Sequence, residues 1–308
     1  MKKEQSLKPS NTDQNQDKHR FIVMPFQPEP EQEYNGIGLG LHFFIGNIMA
    51  VQTLLKEFWF GWRANKLFKN QVEMIEFCQG KNSLDNIEQL AREQEIKYWL
   101  NGTYVQDNNK INLSLTLSIF NENIKEHSKK FSVDLSDNLI GFRNEFIDWL
   151  GEFSLSFEDA QEKKIMWPEQ ISFKGLDFLG RSVESTYINY VDNSKHDDPI
   201  DLKFFEKMVL TDPDSYLAWD MRGWGLYKNK SYKEAEKSFL KAISFNKDGL
   251  GALSGLMWCY IFANNTDLAT QYAVAKADVR NASHKKAKSF VANKNTVPLE
   301  RDNHGNPV

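Results

Sequence analysis

The segment YLAWDMRGWGLYKNKSYKEAEKSFLKAISFNKD, residues 216–248, decides the second half of the fold. Weaker copies flank it on both sides, because its pattern recurs at positions 34 apart. Three sets follow this period: Asp201, Ala235 and Ala269; Phe205, Phe239 and Ala273; Met208 and Ala242. A fixed period of this length indicates stacked helical hairpins, in which each repeat buries its apolar face against the next one.

The middle copy resembles the tetratricopeptide (TPR) consensus. The residues at the offsets of that consensus are Trp219, Gly223, Leu226, Ala235, Phe239 and Ala242. Gly223 and Ala235 let the two helices of the repeat approach closely, while Trp219 and Phe239 fill the space between them and toward the next repeat. The resemblance implies a TPR-like helical array over 171–285, followed by a flexible tail over 286–308.

The flanking copies depart from the consensus. The first copy, at 172–215, has no glycine at the small position, and the third, at 250–283, keeps Ala269 but has Met257 where Gly223 stands in the second. We therefore predict one strong and two degenerate repeats. Their outer faces are apolar, so we expect them to be capped or paired with another chain.

The first half reads as an α/β sheet domain over 21–156, with the order β-α-β-α-β-β-β-α. The fold class is therefore α+β followed by an all-helical array. A disordered arm is predicted over 1–20 and a linker over 157–170. The expected strands are 21–26, 57–62, 96–106, 110–120 and 125–135, and the expected helices are 37–56, 83–96 and 137–153.

The clearest strand signal is KINLSLTLSIF, residues 110–120. Isoleucine and leucine alternate there with asparagine, serine and threonine in a strict period of two. Because successive side chains of a strand point to opposite faces, one face should lie on the core and the other in water.

Residues 21–40, FIVMPFQPEPEQEYNGIGLG, and 96–131 resemble the TolB-amino-terminal-like domain. The matching features are the strand that ends at Pro25-Phe26, the PEQEY loop, Gly36 at the helix start, the LNGTY strand, and Glu126-His127 followed by Phe131. This domain precedes TPR repeats in bacterial regulators and accompanies class III adenylate cyclases. The cyclase catalytic domain does not occur in these 308 residues, so the resemblance does not imply cyclase activity.

Composition limits the classes of partner. The formal net charge is −4, which argues against a basic footprint for nucleic acid. The most apolar windows are interrupted by polar residues, so we predict no transmembrane helix and no membrane partner. The start of the chain lacks the apolar core of a secretory signal, and Cys78 and Cys259 are too few for a disulfide framework. These features favour the cytoplasm.

Gly36, Gly38 and Gly40 raise the question of a ligand-binding loop. A dinucleotide fingerprint needs Gly-x-Gly-x-x-Gly directly after a strand, whereas these glycines have the spacing Gly-x-Gly-x-Gly and follow a loop of some ten residues. The preferred interpretation is small residues that let a helix pack closely on the sheet. Binding of a nucleotide or small molecule there is the alternative.

Catalytic and metal-binding patterns are not found in the sequence. None of the six histidines has another histidine three or four positions away, and no Gly-x-Ser-x-Gly motif occurs. We therefore predict no catalytic residues, no metal and no cofactor.

Aromatic residues on the first helix of each repeat are the candidate partner-binding residues: Tyr187, Tyr190, Trp224 and Tyr227. First helices line the concave side of a TPR array, where partner peptides usually lie. The sequence thus favours a non-enzymatic interaction or scaffold protein that binds another protein or a second copy of itself. The alternative is a regulatory module that senses a nucleotide or small molecule.

Overall fold

The computed structural model describes residues 19–30, 32–53, 55–57, 60–84, 87–107, 110–134, 136, 140–155, 171–192, 198–280 and 282–296. The predicted linker over 157–170 lies outside these ranges, as do residues 1–18 and 297–308. The predicted arm over 1–20 extends too far, because Arg20 is the first residue of a strand. Its guanidinium donates a hydrogen bond to the carbonyl of Gln94.

The first half combines a mixed sheet with helices. Its elements in chain order are β1 (Arg20–Val23), β2 (Gln27–Pro28), α1 (Ile37–Gln52), β3 (Lys56–Glu57), α2 (Phe60–Leu67), α3 (Gln71–Cys78), α4 (Ile87–Glu93), β4 (Ile96–Asp107), β5 (Lys110–Phe120), β6 (Ile124–Asp134) and α5 (Ile140–Gly151). The strands lie in the order β3-β1-β4-β5-β6, and β2 pairs with the far end of β4. Strand β1 runs parallel to β3 and β4, whereas β4, β5 and β6 form an antiparallel meander.

The period-two alternation of β5 places one side of the strand in the core. The buried set is Ile111, Leu113, Leu115 and Leu117, while the side chains between them are at least partly exposed. The three strands of the meander match their predicted bounds to within one or two residues. Local alternation and polar turns are sufficient to define them.

The predicted strand at 57–62 is wrong beyond its first residue. Only Lys56 and Glu57 pair with β1, and α2 begins at Phe60. The physical reason is the spacing of Phe60, Ala64 and Phe68, which lie four residues apart and are all buried, as one face of a helix requires. The short helix α3, capped by the Asn70 side chain, was not predicted.

The second half is a stack of antiparallel helices: α6 (Phe173–Val191), α7 (Lys203–Thr211), α8 (Tyr216–Lys228), α9 (Tyr232–Phe245), α10 (Leu250–Phe262), α11 (Thr266–Val279) and α12 (His284–Thr296). Helices α8, α10 and α12 begin 34 residues apart, as do α9 and α11. Helices α6, α8, α10 and α12 contact one another in sequence and form one layer; α7, α9 and α11 pack beside it as a second layer.

The hairpin turns repeat at the same interval. Lys230 and Asn264 lie 34 residues apart, and each has a positive φ, of 62° and 54°. Each turn is closed by equivalent backbone hydrogen bonds, for example Ser231 N to Leu226 O and Asn265 N to Tyr260 O. The left-handed residue reverses the chain after the first helix, as at many helix C-termini.

Residues 284–296 are helical, so the predicted flexible tail over 286–308 is wrong in this part. Helix α12 packs against α11, and Val291 on its inner side is fully buried beside Met257 and Ala273. Its sequence, HKKAKSFVANKNT, is strongly polar and has low intrinsic apolar content. Tertiary packing of a narrow apolar stripe stabilises the helix.

Helix α6 joins the two halves, because it packs on α1 and α2 as well as on α7. The contact with α1 is unusually close. A Cβ at Gly180 would lie 1.6 Å from the carbonyl oxygen of Gly36, and one at Gly40 would lie 2.5 Å from that of Leu176. One hydrophobic core therefore runs from the sheet into the helical stack.

Candidate functional site

The three glycines at the start of α1 are in close contact with other protein segments. The Cα hydrogens of Gly36 and Gly40 face the α6 backbone at Asp177 and Leu176, and Gly38 faces the carbonyl of Phe26 at the end of β1. Glycine is required here because a Cβ at any of the three would lie within 2.5 Å of a backbone oxygen. They leave no room for a ligand beside their Cα atoms.

The first turn of α1 is capped from the other half of the chain. Helix α1 has no acidic residue in its first turn, and the backbone nitrogen of Gly36 donates to Asp177 Oδ1 at 2.7 Å. Arg181 Nε donates to both carboxylate oxygens of Asp177, at 3.1 and 3.0 Å. This pairing raises the pKa of Arg181. The negative charge of Asp177 lies where the helix dipole favours an anion.

Tyr187 is not on an accessible face, contrary to the prediction from sequence. Its ring is buried against Gly61 and Phe60, and its hydroxyl lies 2.9 Å from His42 Nε2. Burial lowers the pKa of His42 to about 3, so the imidazole is neutral. Tyr187 therefore joins α6 to α1, and this long-range contact has no local signature in the sequence.

Tyr190 and Trp224 are only partly buried, and together with Trp258 they occupy equivalent positions on α6, α8 and α10, 34 residues apart. We call these three residues the aromatic row. Lys228 of α8 places its Nζ 5.1 Å above the ring of Tyr190, and the ring of Phe290 on α12 lies 5.5 Å from Trp258. Sequence reasoning missed Trp258, although adding the repeat period to Trp224 identifies it.

Tyr227 belongs to a second aromatic group at the turn side of the same layer. Its ring centre lies 5.8 Å from Phe262 of α10 and 5.4 Å from Tyr232 of α9. Tyr232 and Phe262 stack with centres 4.7 Å apart. All three rings are partly exposed, so the aromatic surface extends beyond the row itself.

A buried carboxyl group supports the aromatic row from below. Asp220 of α8 is 2 % exposed and lies against Gly251 of α10, where a Cβ would be 2.2 Å from Asp220 Oδ2. Burial raises the pKa of Asp220 to about 8, although hydrogen bonds from Trp224 and Tyr216 oppose that shift. The Tyr216 hydroxyl also accepts from Ala252 N at 3.2 Å. Asp220 thus fixes the indole of Trp224 through a network between α8 and α10.

Compared with known proteins, the chain matches no family model and no curated protein. Among the residues that the structure describes, no three His, Cys, Asp or Glu side chains are placed to hold a metal ion. No helix in the described ranges is long and apolar enough to cross a membrane.

The predicted packing residues of the middle repeat lie between the two helix layers. Gly223, Ala235, Phe239, Ala242 and Ala269 are all buried. A Cβ at Gly223 would lie 2.4 Å from the Phe239 ring, and one at Gly255 would lie 2.2 Å from its far side. Trp219 is only partly buried; its indole nitrogen donates to the carbonyl of Pro213 at 2.7 Å and does not fill the centre of the repeat.

Proposed function

We propose that this chain is a non-enzymatic interaction or scaffold protein that binds a partner protein, or a second copy of itself, on the helical layer α6-α8-α10. The observation that carries the proposal is the aromatic row, Tyr190, Trp224 and Trp258. Large aromatic side chains that stay partly exposed at equivalent positions of a repeat are typical anchors of protein interfaces.

The surroundings of the row favour docking on this face rather than at the ends of the stack. One end is covered by α1 through α6, and the other by α12. The apolar ends expected from the degenerate repeats are therefore covered by the chain itself. What remains on the layer is an aromatic surface with Lys228 beside it, which suits a partner segment that combines apolar side chains with acceptors.

The cytoplasm is the proposed compartment. Cys78 and Cys259 are both buried free thiols, which suits a reducing environment. The proposal of a non-enzymatic role rests on the sequence patterns, in which no nucleophile and base occur in a known catalytic arrangement.

The test is a pull-down from cells of the source organism with the immobilised chain, accompanied by light scattering of the chain alone. The variant Trp224→Ala/Trp258→Ala removes two anchors of the row, and Trp219→Ala is the matched control on the same helix α8. We expect a specific partner, or a dimer, that the double variant loses and the control retains.

Thermal unfolding of both variants must first establish that they are folded. A partner or dimer that survives in the double variant would move the interface away from the row. A monomer that captures nothing specific would contradict the proposed function as a whole.

A further inference from the structure

A cleft lies where the loop before α1 meets β4 and the first turns of α6. Its walls include Gln32, Asn35, Gln106, Lys174, Asp177 and Arg181, and its volume is about 550 Å³. This volume is in the range of small-molecule sites. Half-buried rings of Tyr34 and Phe173 add an apolar surface.

Hydrogen-bond acceptors on these walls are largely used within the protein. Asp177 accepts from Gly36 N and from Arg181 Nε. Asn35 Oδ1 accepts from Ile37 N at 2.9 Å and from the Tyr104 hydroxyl at 3.0 Å. Gln32 Oε1 accepts from Gln106 N at 3.1 Å, and the Tyr34 hydroxyl donates to Glu184.

The groups left over are donors. Within the described residues, no hydrogen-bond partner is found for Arg181 Nη1 or Nη2, or for the amide nitrogens of Gln32 and Asn35. Lys174 is exposed and its ammonium contacts only the ring of Phe178, at 5.8 Å. Two cations and two amide groups therefore offer donors to the cleft while its acceptors are occupied.

We propose that this cleft binds a small organic anion that carries a phosphate or a carboxylate. Guanidinium and ammonium groups form their strongest hydrogen bonds with such oxygens. Glu33 is the one acid of the cleft besides Asp177, and it is exposed at the rim, where its charge weakens the attraction without blocking it. This site is separate from the aromatic row, so its failure would leave the proposed function untouched.

The test is calorimetric titration of the full chain with AMP, citrate, inorganic phosphate and, as the uncharged probe, adenosine. We expect saturable binding of AMP or citrate with a Kd below about 1 mM. Binding of AMP and phosphate without citrate would assign a phosphate ligand, and binding of citrate alone a carboxylate ligand.

Three variants locate the site. Lys174→Gln should weaken binding about three- to tenfold, and Glu33→Gln should strengthen it about twofold or more. Lys207→Gln is the matched control, because Lys207 contacts the same Phe178 ring from α7, at 5.5 Å, but does not line the cleft. Equal losses in the two lysine variants, adenosine binding as tightly as AMP, or no saturable binding up to about 10 mM would each overturn the proposal.

Discussion

Asp177 Oδ1 accepts a hydrogen bond of 2.7 Å from the backbone nitrogen of Gly36, so a residue of the helical stack caps a helix of the sheet half. We expect Asp177→Ala to lower the free energy of unfolding by about 1–2 kcal/mol, as the loss of a helix cap does. Asp177→Asn keeps an acceptor and should lose less. Urea denaturation measures both. The control is Glu88→Ala, which breaks an exposed ion pair with Arg92 and should cost at most about 0.5 kcal/mol; equal losses would contradict the capping role.

The Phe239 ring lies between Gly223 and Gly255, with no space for a methyl group on either side. Gly223→Ala should therefore destabilise the protein by about 1–3 kcal/mol, despite the higher helix propensity of alanine. Phe239→Leu introduced into that variant frees space and should recover part of the loss. A double-mutant cycle gives the coupling energy. Strictly additive effects would mean that the ring and the glycine do not press on each other.

Stability should depend on pH through Asp220. Because its pKa is raised to about 8 in the folded protein from an ordinary 3.8, the folded state binds a proton that the unfolded state has released between these pH values. The free energy of unfolding therefore falls as the pH rises from about 4 to 8, by at most about 1.4 kcal/mol per pH unit.

Asp220→Asn removes this titration and should flatten the profile between pH 5 and 8, as denaturation at several pH values would reveal. Asp214→Asn, a change at an exposed aspartate in the turn before α8, should keep the wild-type profile. If Asp220→Asn leaves the slope unchanged, another group governs the pH dependence.

Helix α12 covers the end of the stack mainly through Val291. Since Val291 is fully buried, Val291→Ala should cost about 1–3 kcal/mol. Val72→Ala removes the same two methyl groups from a side chain that is 56 % exposed, so it should be nearly neutral. Thermal denaturation compares the two. Matching values would indicate that α12 contributes little to the stability of the stack.

Local patterns in the sequence predicted the meander and the period of the helical stack. Strand β5 spans the same residues as KINLSLTLSIF, because side-chain alternation is a property of neighbouring residues. Residues 57–62 misled the prediction, since an aromatic run fits a strand and a helix equally well. Only burial of Phe60 and Ala64 on one side distinguishes the two.

The candidate sites were less predictable, because they depend on contacts far apart in the sequence. The period identified Tyr190 and Trp224 and could have identified Trp258. No local pattern reveals that Tyr187 is buried against His42, 145 positions away, or that Asp220 is enclosed by Gly251. The cleft likewise depends on Gln32 and Arg181 meeting across the two halves.

The close crossing of α1 and α6 also limits how large the protein can grow. A stack of hairpins can in principle be lengthened by duplicating its unit, but here the crossing leaves no free helix face at the first end. At the other end, Lys285, Lys286 and Lys288 of α12 are exposed and would bring like charges against any added hairpin. The stack therefore behaves as a block of fixed length, and a gene duplication that extended it would have to replace α12 rather than follow it.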